Sequence, residues 1–412
     1  MGSTLITSRR MGLARPARLI AMLALASAIA EAQERESDQP VTPNTELFAK
    51  LERAVIRLHS IFDPPLHPVI RGIAPGGGLG AGLSYSSPGK GPWNASAKAL
   101  YTWNDYWLAE AIAGYKNRRA QLEAFGRVRE MTQLDFFGSG PNSNLFNRTS
   151  FSYRDPVIGA HGKFRVTPWL ALAGRVEEIW PSARSGKRSP TVEQRFPPAE
   201  TPALFFHPVF GRYQGAVDIY IPASPGDTFY QGTRSRVTYA IYDQQNADLF
   251  NFTRLDVEAQ QVFTGFGRLH RLTLSGWSAM LTPGRGEEIP FAMLPTLGGR
   301  SSIRSVHDDR IGSDGTDATL RGYRDLRFRD RNLLLLQGEY RIPIWGPVDA
   351  TLFADAGKVA FVRKDLDFTD LRRDAGFSLS IMKGWETWAR LDVGLGSGEG
   401  TRVFFTMGQL TP

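Results

Sequence analysis

Hydrophobic and polar residues alternate with a period of two along most of the chain from about Pro75 onward. In "LLLLQGEYRIPI" the even positions read Leu334, Leu336, Gly338, Tyr340, Ile342 and Ile344, while the odd ones read Leu333, Leu335, Gln337, Glu339 and Arg341. One face is apolar throughout and the other turns polar from Gln337. The next segment sets Val348, Ala350, Leu352 and Ala354 against Asp349, Thr351, Phe353 and Asp355. Further on, Phe377, Leu379 and Ile381 oppose Ser378 and Ser380, and Thr387, Ala389, Leu391 and Val393 oppose Glu386, Trp388, Arg390 and Asp392. The last such segment sets Val403, Phe405 and Met407 against Arg402, Phe404 and Thr406. Side chains of an extended strand point alternately to its two faces, so each segment is a strand with one apolar and one polar side.

The pattern predicts strands near 78–86, 94–103, 106–116, 120–131, 148–154, 157–166, 169–180 and 206–219, and then near 232–243, 249–262, 267–281, 333–344, 348–357, 374–382, 385–395 and 401–408. That makes sixteen. A water-soluble sandwich alternates too, so the aromatic residues and the loops decide. Trp103, Tyr106, Trp107, Trp169, Trp345 and Trp385 lie at or beside short turns, where the aromatic girdle of a membrane barrel sits. The turns "WNDY", "VTP", "WGP" and "KGWE" are tight, whereas 181–204 and 282–332 are long, the asymmetry of outer-membrane barrels. The expected fold is all-β: a transmembrane antiparallel β-barrel spanning 73–412, with a long sixth loop ahead of residue 333.

The N-terminal part reads differently. Arg9, Arg10, Arg15 and Arg18 precede the apolar run "LIAMLALASAIA", which ends in small residues at Ala30 and Ala32, the zones of a secretory signal peptide over 1–32. Residues 33–72 then form an expected periplasmic segment. Within it Leu47, Leu51, Val55, Leu58 and Phe62 recur at steps of three and four, an amphipathic helix over 44–62 that "DPPLHP" terminates. The chain after the leader has no apolar run of about 18 residues, the length that a transmembrane helix requires.

Composition narrows the chemistry. The 412 residues include no cysteine, so neither a disulfide nor a cysteine metal site arises. Loss of four arginines and Glu31 with the leader lowers the formal charge from +8 to +5, and these charges are interspersed, so no nucleic-acid partner is expected. The six histidines lack metal-ligand spacing; no metal or cofactor is expected. A hydrolase using His161, His207 or His270 lacks a serine in a recognisable elbow, and no catalytic residue is assigned. "GGGLGAG" at 76–82 has neither the spacing of a phosphate cradle nor a following helix.

Within the long loop, Leu320, Arg321, Gly322 and Tyr323 resemble the signature of the BamA/TamA family of bacterial surface-antigen barrels. The resemblance extends upstream through "LPTLGG" (294–299) and downstream through "EYRIPIWGPVDATLFADAGKV" to "FFTMGQ", and "DFFGSGP" at 135–141 is also similar. It implies that the loop folds back into the lumen and that its arginine, here Arg321, pairs with wall carboxylates matching Glu339 and Asp355. The alternation independently turns both carboxylates inward. A planar guanidinium holds a carboxylate through two parallel hydrogen bonds. Gly322 would let the loop approach the wall, and Tyr323 would pack its ring there with its hydroxyl in water. In a hairpin turning near Trp345, Glu339 and Asp355 fall about two to four residues out of register, roughly 7 to 13 Å at about 3.3 Å per residue. Arg321 is therefore expected to grip one directly and the other through a network including Arg341.

The resemblance also implies a weak seam between the first and last strands. Its candidates here are Gly76, Gly77, Gly78, Gly80 and Gly82 on one side, and Phe405 and Gly408 on the other. Two departures stand out. Only about 40 residues separate Ala32 from the first expected strand, at the lower limit for the independent fold of a periplasmic POTRA module. The C-terminus reads "GQLTP" rather than ending on an aromatic residue. The expected function is insertion or translocation of outer-membrane proteins, with a non-enzymatic channel or scaffold as the alternative. The expected partners are outer-membrane lipid and lipopolysaccharide, unfolded outer-membrane or secreted proteins, and a periplasmic protein docking on helix 44–62. The expected location is the cell outer membrane.

Overall fold

The computed structural model describes residues 65–87, 91–222, 232–265, 270–299, 318–383, 386–396 and 398–407. The expected leader and helix 44–62, together with Trp385 and Gly408, lie outside them. The first strands are β1 (Leu66–Arg71), β2 (Gly80–Ser86), β3 (Trp93–Thr102), β4 (Trp107–Lys116), β5 (Ala120–Phe136), β6 (Thr149–Arg154), β7 (Val157–Thr167), β8 (Leu170–Ile179), β9 (Ser182–Ser185) and β10 (Phe210–Ile221). They continue with β11 (Gly232–Gln244), β12 (Phe252–Gly265), β13 (His270–Pro283), β14 (Thr296–Leu297), β15 (Phe328–Arg329), β16 (Asn332–Trp345), β17 (Val348–Ala360), β18 (Arg372–Lys383), β19 (Glu386–Gly396) and β20 (Gly400–Met407).

Among the described residues the wall is sixteen antiparallel strands, β1 to β5, β7, β8, β10 to β13 and β16 to β20, each hydrogen-bonded to the next. The agreement with the sixteen predicted strands conceals two corrections. The segment 148–154 is β6, which pairs with the far half of β5 and with β9 as a side extension, while the near half of β5 pairs with β7. The chain bends between β6 and β7 at Asp155 and Pro156. There Asp155 accepts hydrogen bonds from Arg127 and Arg129, each at 3.0 Å. The missing wall strand is β1, at 66–71, ahead of the boundary at residue 73. Its Pro68 hides it in a periodicity search, because proline lacks the N–H of a ladder and is tolerated only at edges.

Exposure is inverted relative to a water-soluble protein. On β11, Val237, Tyr239 and Ile241 are exposed while Thr238, Ala240 and Tyr242 are buried; on β8, Leu172 and Val176 are exposed while Arg175 and Glu177 are buried. Apolar side chains ring the outside because lipid accepts them, and charged ones turn into the lumen. Inside they are paired, as with Arg212 to Glu177 at 2.7 Å and Arg254 to Asp256 at 2.7 Å. An unpaired charge there would carry its full desolvation penalty.

The two ends differ as expected. One carries turns such as 117–119, 168–169 and 346–347, and the other carries the loops 180–209, 284–331 and 361–371. The "WNDY" turn at 103–106 belongs to the long-loop end. Trp103 there is exposed, yet Tyr106 is fully buried and donates from its hydroxyl to the Pro75 carbonyl at 3.1 Å, so it is no girdle residue. Trp107 is partly buried and donates its indole N–H to Glu130 at 3.1 Å, whereas Trp169 is exposed at the short-turn end. At this end strands and loops bury a core together: Phe136 of β5 and Phe151 of β6 meet Phe196 and Phe291 of the loops edge to face, with ring centroids 4.8 to 5.3 Å apart.

Candidate functional site

The sixth loop at the long-loop end, of which 284–299 and 318–331 are described, is held by a short β14–β15 ribbon and by two glycines. Gly298 and Gly299 have φ of +115° and +58°, and Gly299 exchanges backbone hydrogen bonds with the turn that bears the motif: its N–H donates to Leu320 O at 2.8 Å, and Thr319 N–H donates to its carbonyl at 2.9 Å. This is the physical content of "LPTLGG", since side chains rarely tolerate positive φ. Leu320 is fully buried against Trp277, Leu297, Tyr323, Phe328 and Leu333, and it fixes the next residue over the wall.

That residue is Arg321, 1% exposed. Its Nε and Nη2 donate to the two oxygens of Asp355 at 2.8 and 2.7 Å, a bidentate fork, and its backbone N–H reaches the same carboxylate at 3.3 Å. Its Nη1 donates to Glu339. The guanidinium also lies 3.7 Å from the centre of the Phe353 ring. In the β16–β17 ladder Gln337 faces Asp355 and Glu339 faces Phe353, so the two carboxylates are two residues out of register. One guanidinium spans both directly. Burial alone would lower the Arg321 pKa, but Asp355 and Glu339 raise it above the ordinary arginine value.

A second cation of this network is Arg390 of β19. Arg390 donates to Glu339 at 2.9 Å, to Asp392 at 2.8 Å and to Ser378 at 3.0 Å, whereas Arg341 is directed at the Met382 sulfur at 3.6 Å. Gly322 packs on β19 so closely that a Cβ would stand 2.4 Å from the Gly396 nitrogen. A Cβ on Gly394 or Gly396 would in turn stand 2.3 Å from Arg321 O or 2.0 Å from Gly322 O. The contact is glycine against glycine, backbone to backbone. Tyr323 is 2% exposed, with its ring edge-on to Phe328 and its hydroxyl donating to the Arg373 carbonyl at 3.3 Å, so that hydroxyl is in protein and not in water.

The fold has solved counterparts. The structure resembles BamA from Haemophilus ducreyi lacking POTRA domains 1–3, with a TM-score of 0.54 and 12% identity over 82% of this chain and 68% of that one. It also resembles CdiB from Escherichia coli, with a TM-score of 0.55 and 11% identity over 83% of this chain and 62% of that one. At such identity the likeness is one of fold, and this chain spans about two thirds of those proteins' lengths. The sequence matches no family profile and no curated protein.

Two further arginines of the loop carry no motif that spacing would single out. Arg327 donates to Glu399 at 2.5 Å and to Ser143 Oγ and O, both at 2.7 Å, tying the sixth loop to the last hairpin and to the third loop. Arg329, 1% exposed, lies among the rings of Phe136, Phe151 and Phe291 and donates to Phe291 O at 2.7 Å; burial pushes its pKa down to about 10. The "DFFGSGP" segment receives this loop, with Gly140 N–H donating to Arg329 O at 2.8 Å and Arg372 donating to Pro141 O at 2.9 Å. Of the histidines, His270 meets the Tyr340 hydroxyl at 2.8 Å and His207 meets Arg184 at 3.3 Å.

The glycines Gly76, Gly77, Gly78, Gly80 and Gly82 are not at the seam. Gly76 and Gly78 have positive φ in the β1–β2 turn, and Gly77 lies under the Tyr106 ring, where a Cβ would come within 2.6 Å. Gly80 and Gly82 are in β2, which is paired on both sides; a Cβ on Gly82 would meet Ala99 O at 1.9 Å. Gly80 and Gly82 allow close packing within the sheet, and Gly76, Gly77 and Gly78 shape the turn. The unpaired edges of the sixteen-strand wall, among the described residues, belong to β1 and β20. Their Cα atoms come within 8 Å of each other with no ladder joining them, and Phe405 is exposed on the outer face of β20.

Proposed function

We propose that this barrel resides in the outer membrane and takes part in inserting or translocating outer-membrane proteins through the gap between β1 and β20. The observation that supports this most directly is the contrast between a fastened wall and an unfastened edge. The Arg321 network and the Gly322 contact brace β16 to β19, while the next strands along, β20 and β1, meet without a ladder. Backbone N–H and C=O groups left open in lipid are costly, so an edge of this kind captures a strand that arrives with its own groups unpaired. On this reading the substrates are unfolded outer-membrane or secreted proteins and the surroundings are outer-membrane lipid and lipopolysaccharide. No residue is assigned a catalytic role.

The charged lumen favours a second reading. A chamber of about 270 Å³ beneath the loops is lined by groups that include Arg127, Lys163, Arg175, Asp155, Asp218 and Glu258, which would suit a passive ion pathway. Reconstitution separates the two. Proteoliposomes bearing the protein should accelerate folding of an added urea-unfolded reporter barrel over empty liposomes, and depletion in cells should reduce particular outer-membrane or secreted proteins. Large steady ion-selective conductance with neither effect would leave the channel.

A further inference from the structure

The hydrogen-bond phase of β1 assigns a role to Pro68. Ser86 N–H donates to Pro65 O at 2.7 Å, and the register pairs Leu66 with Tyr85 through Arg71 with Gly80. Because backbone groups alternate sides along an antiparallel strand, His67, Val69 and Arg71 bond toward β2, and Leu66, Pro68 and Ile70 point their backbone groups at the open edge. The other side of β2 agrees: Ser87 N–H donates to Ala95 O at 2.7 Å, placing the odd-numbered residues of β2 toward β3 and the even-numbered ones toward β1. Of the three positions that β1 offers across the gap, the middle one therefore has no N–H. Leu66, Pro68 and Ile70 are also exposed on the outer face, so nothing in the lumen requires proline there.

We propose that Pro68 is a wedge that keeps β1 from zipping to β20, leaving the β1 edge available to an incoming strand. The inference deepens the insertion reading and rests on it for its consequence, though not for its geometry. A six-residue strand with a donor missing at its centre supports two isolated donor bonds, at Leu66 and Ile70, instead of a run of three, and short interrupted ladders lose the cooperativity of continuous ones. The same gap selects among arriving strands, favouring a register that places no carbonyl opposite Pro68, since such a carbonyl would remain unbonded in lipid.

Hydrogen exchange of the full chain in lipid nanodiscs tests the wedge directly. Pro68→Val supplies the donor with a side chain suited to lipid and to a strand. Amides of Ile70 and of β20 should then exchange about tenfold more slowly, the change expected from one added bond of about 1.4 kcal/mol. Ile70→Pro withholds another edge-facing donor without touching the β2 ladder, so added to Pro68→Val it should return β20 exchange to the rate of the natural chain while leaving Gly82 and Ser84 unchanged. Should Pro68→Val not refold, Pro68→Thr supplies the same donor and decides in its place. Unchanged exchange across the gap in the folded donor variant overturns the proposal. Reporter insertion measured on the same samples distinguishes the two readings: slow exchange with slow insertion supports both, while slow exchange with unaltered insertion keeps the wedge and removes the functional reading.

Discussion

At the scale of single residues, the anchor is a buried cation shared between carboxylates of unequal burial. The Asp355 side chain is 0% exposed and that of Glu339 26%. Removing one partner of a buried pair leaves the other charged and unpaired, so Arg321→Ala should release the sixth loop at a cost of about 3 to 5 kcal/mol. Limited proteolysis should then cut within 284–331 while the wall stays intact. Arg321→Lys should restore part of the protection, having the charge without the fork. Asp355→Asn should cost more than Glu339→Gln, because only Glu339 is partly solvated. Each combined with Arg321→Ala should add less than its separate effect. Full additivity across that cycle would mean that the arginine does not couple to these groups.

At the scale of elements, the loop meets the wall backbone to backbone, and that contact is independent of charge. Gly396→Ala drives a methyl to 2.0 Å from Gly322 O, beyond what side-chain adjustment can relieve. It should displace the loop as Arg321→Ala does, at a cost of about 1 to 3 kcal/mol or more. Gly215→Ala, on a wall strand with nothing within 4 Å of the added methyl, is the control and should be neutral. Equal protease resistance in the two alanine variants would show that close approach at β19 does not position the loop.

At the scale of the whole molecule, a wall of sixteen paired strands with apolar residues outward should resist detergent. Unboiled protein should migrate faster than boiled protein in detergent gels and fractionate with outer membrane; recovery in the soluble periplasmic fraction would exclude a membrane barrel. The sixth loop is fastened to the inner face of the wall through Arg321, so planar-bilayer conductance should be larger for Arg321→Ala than for the natural chain. Identical conductance would show that the sixth loop does not occlude the lumen.

Much of this was legible in the sequence because strand alternation is local. A period of two fixes which side of a strand each residue takes, so Glu339 and Asp355 were inward whatever their neighbours, and the motif from Leu320 to Tyr323 identified the loop that meets them. Register across strands, curvature and loop docking are not local, and they settled the rest. They brought Arg390 to Glu339, enclosed the Tyr106 ring and the Tyr323 hydroxyl, and placed Gly80 and Gly82 in a strand paired on both sides. Sequence alone placed an apolar face against lipid and a polar one against a lumen. Only the tertiary structure decided where the ring stops, because an edge strand is defined by the ladder it lacks, and in β1 a proline obscured the very alternation by which strands are found.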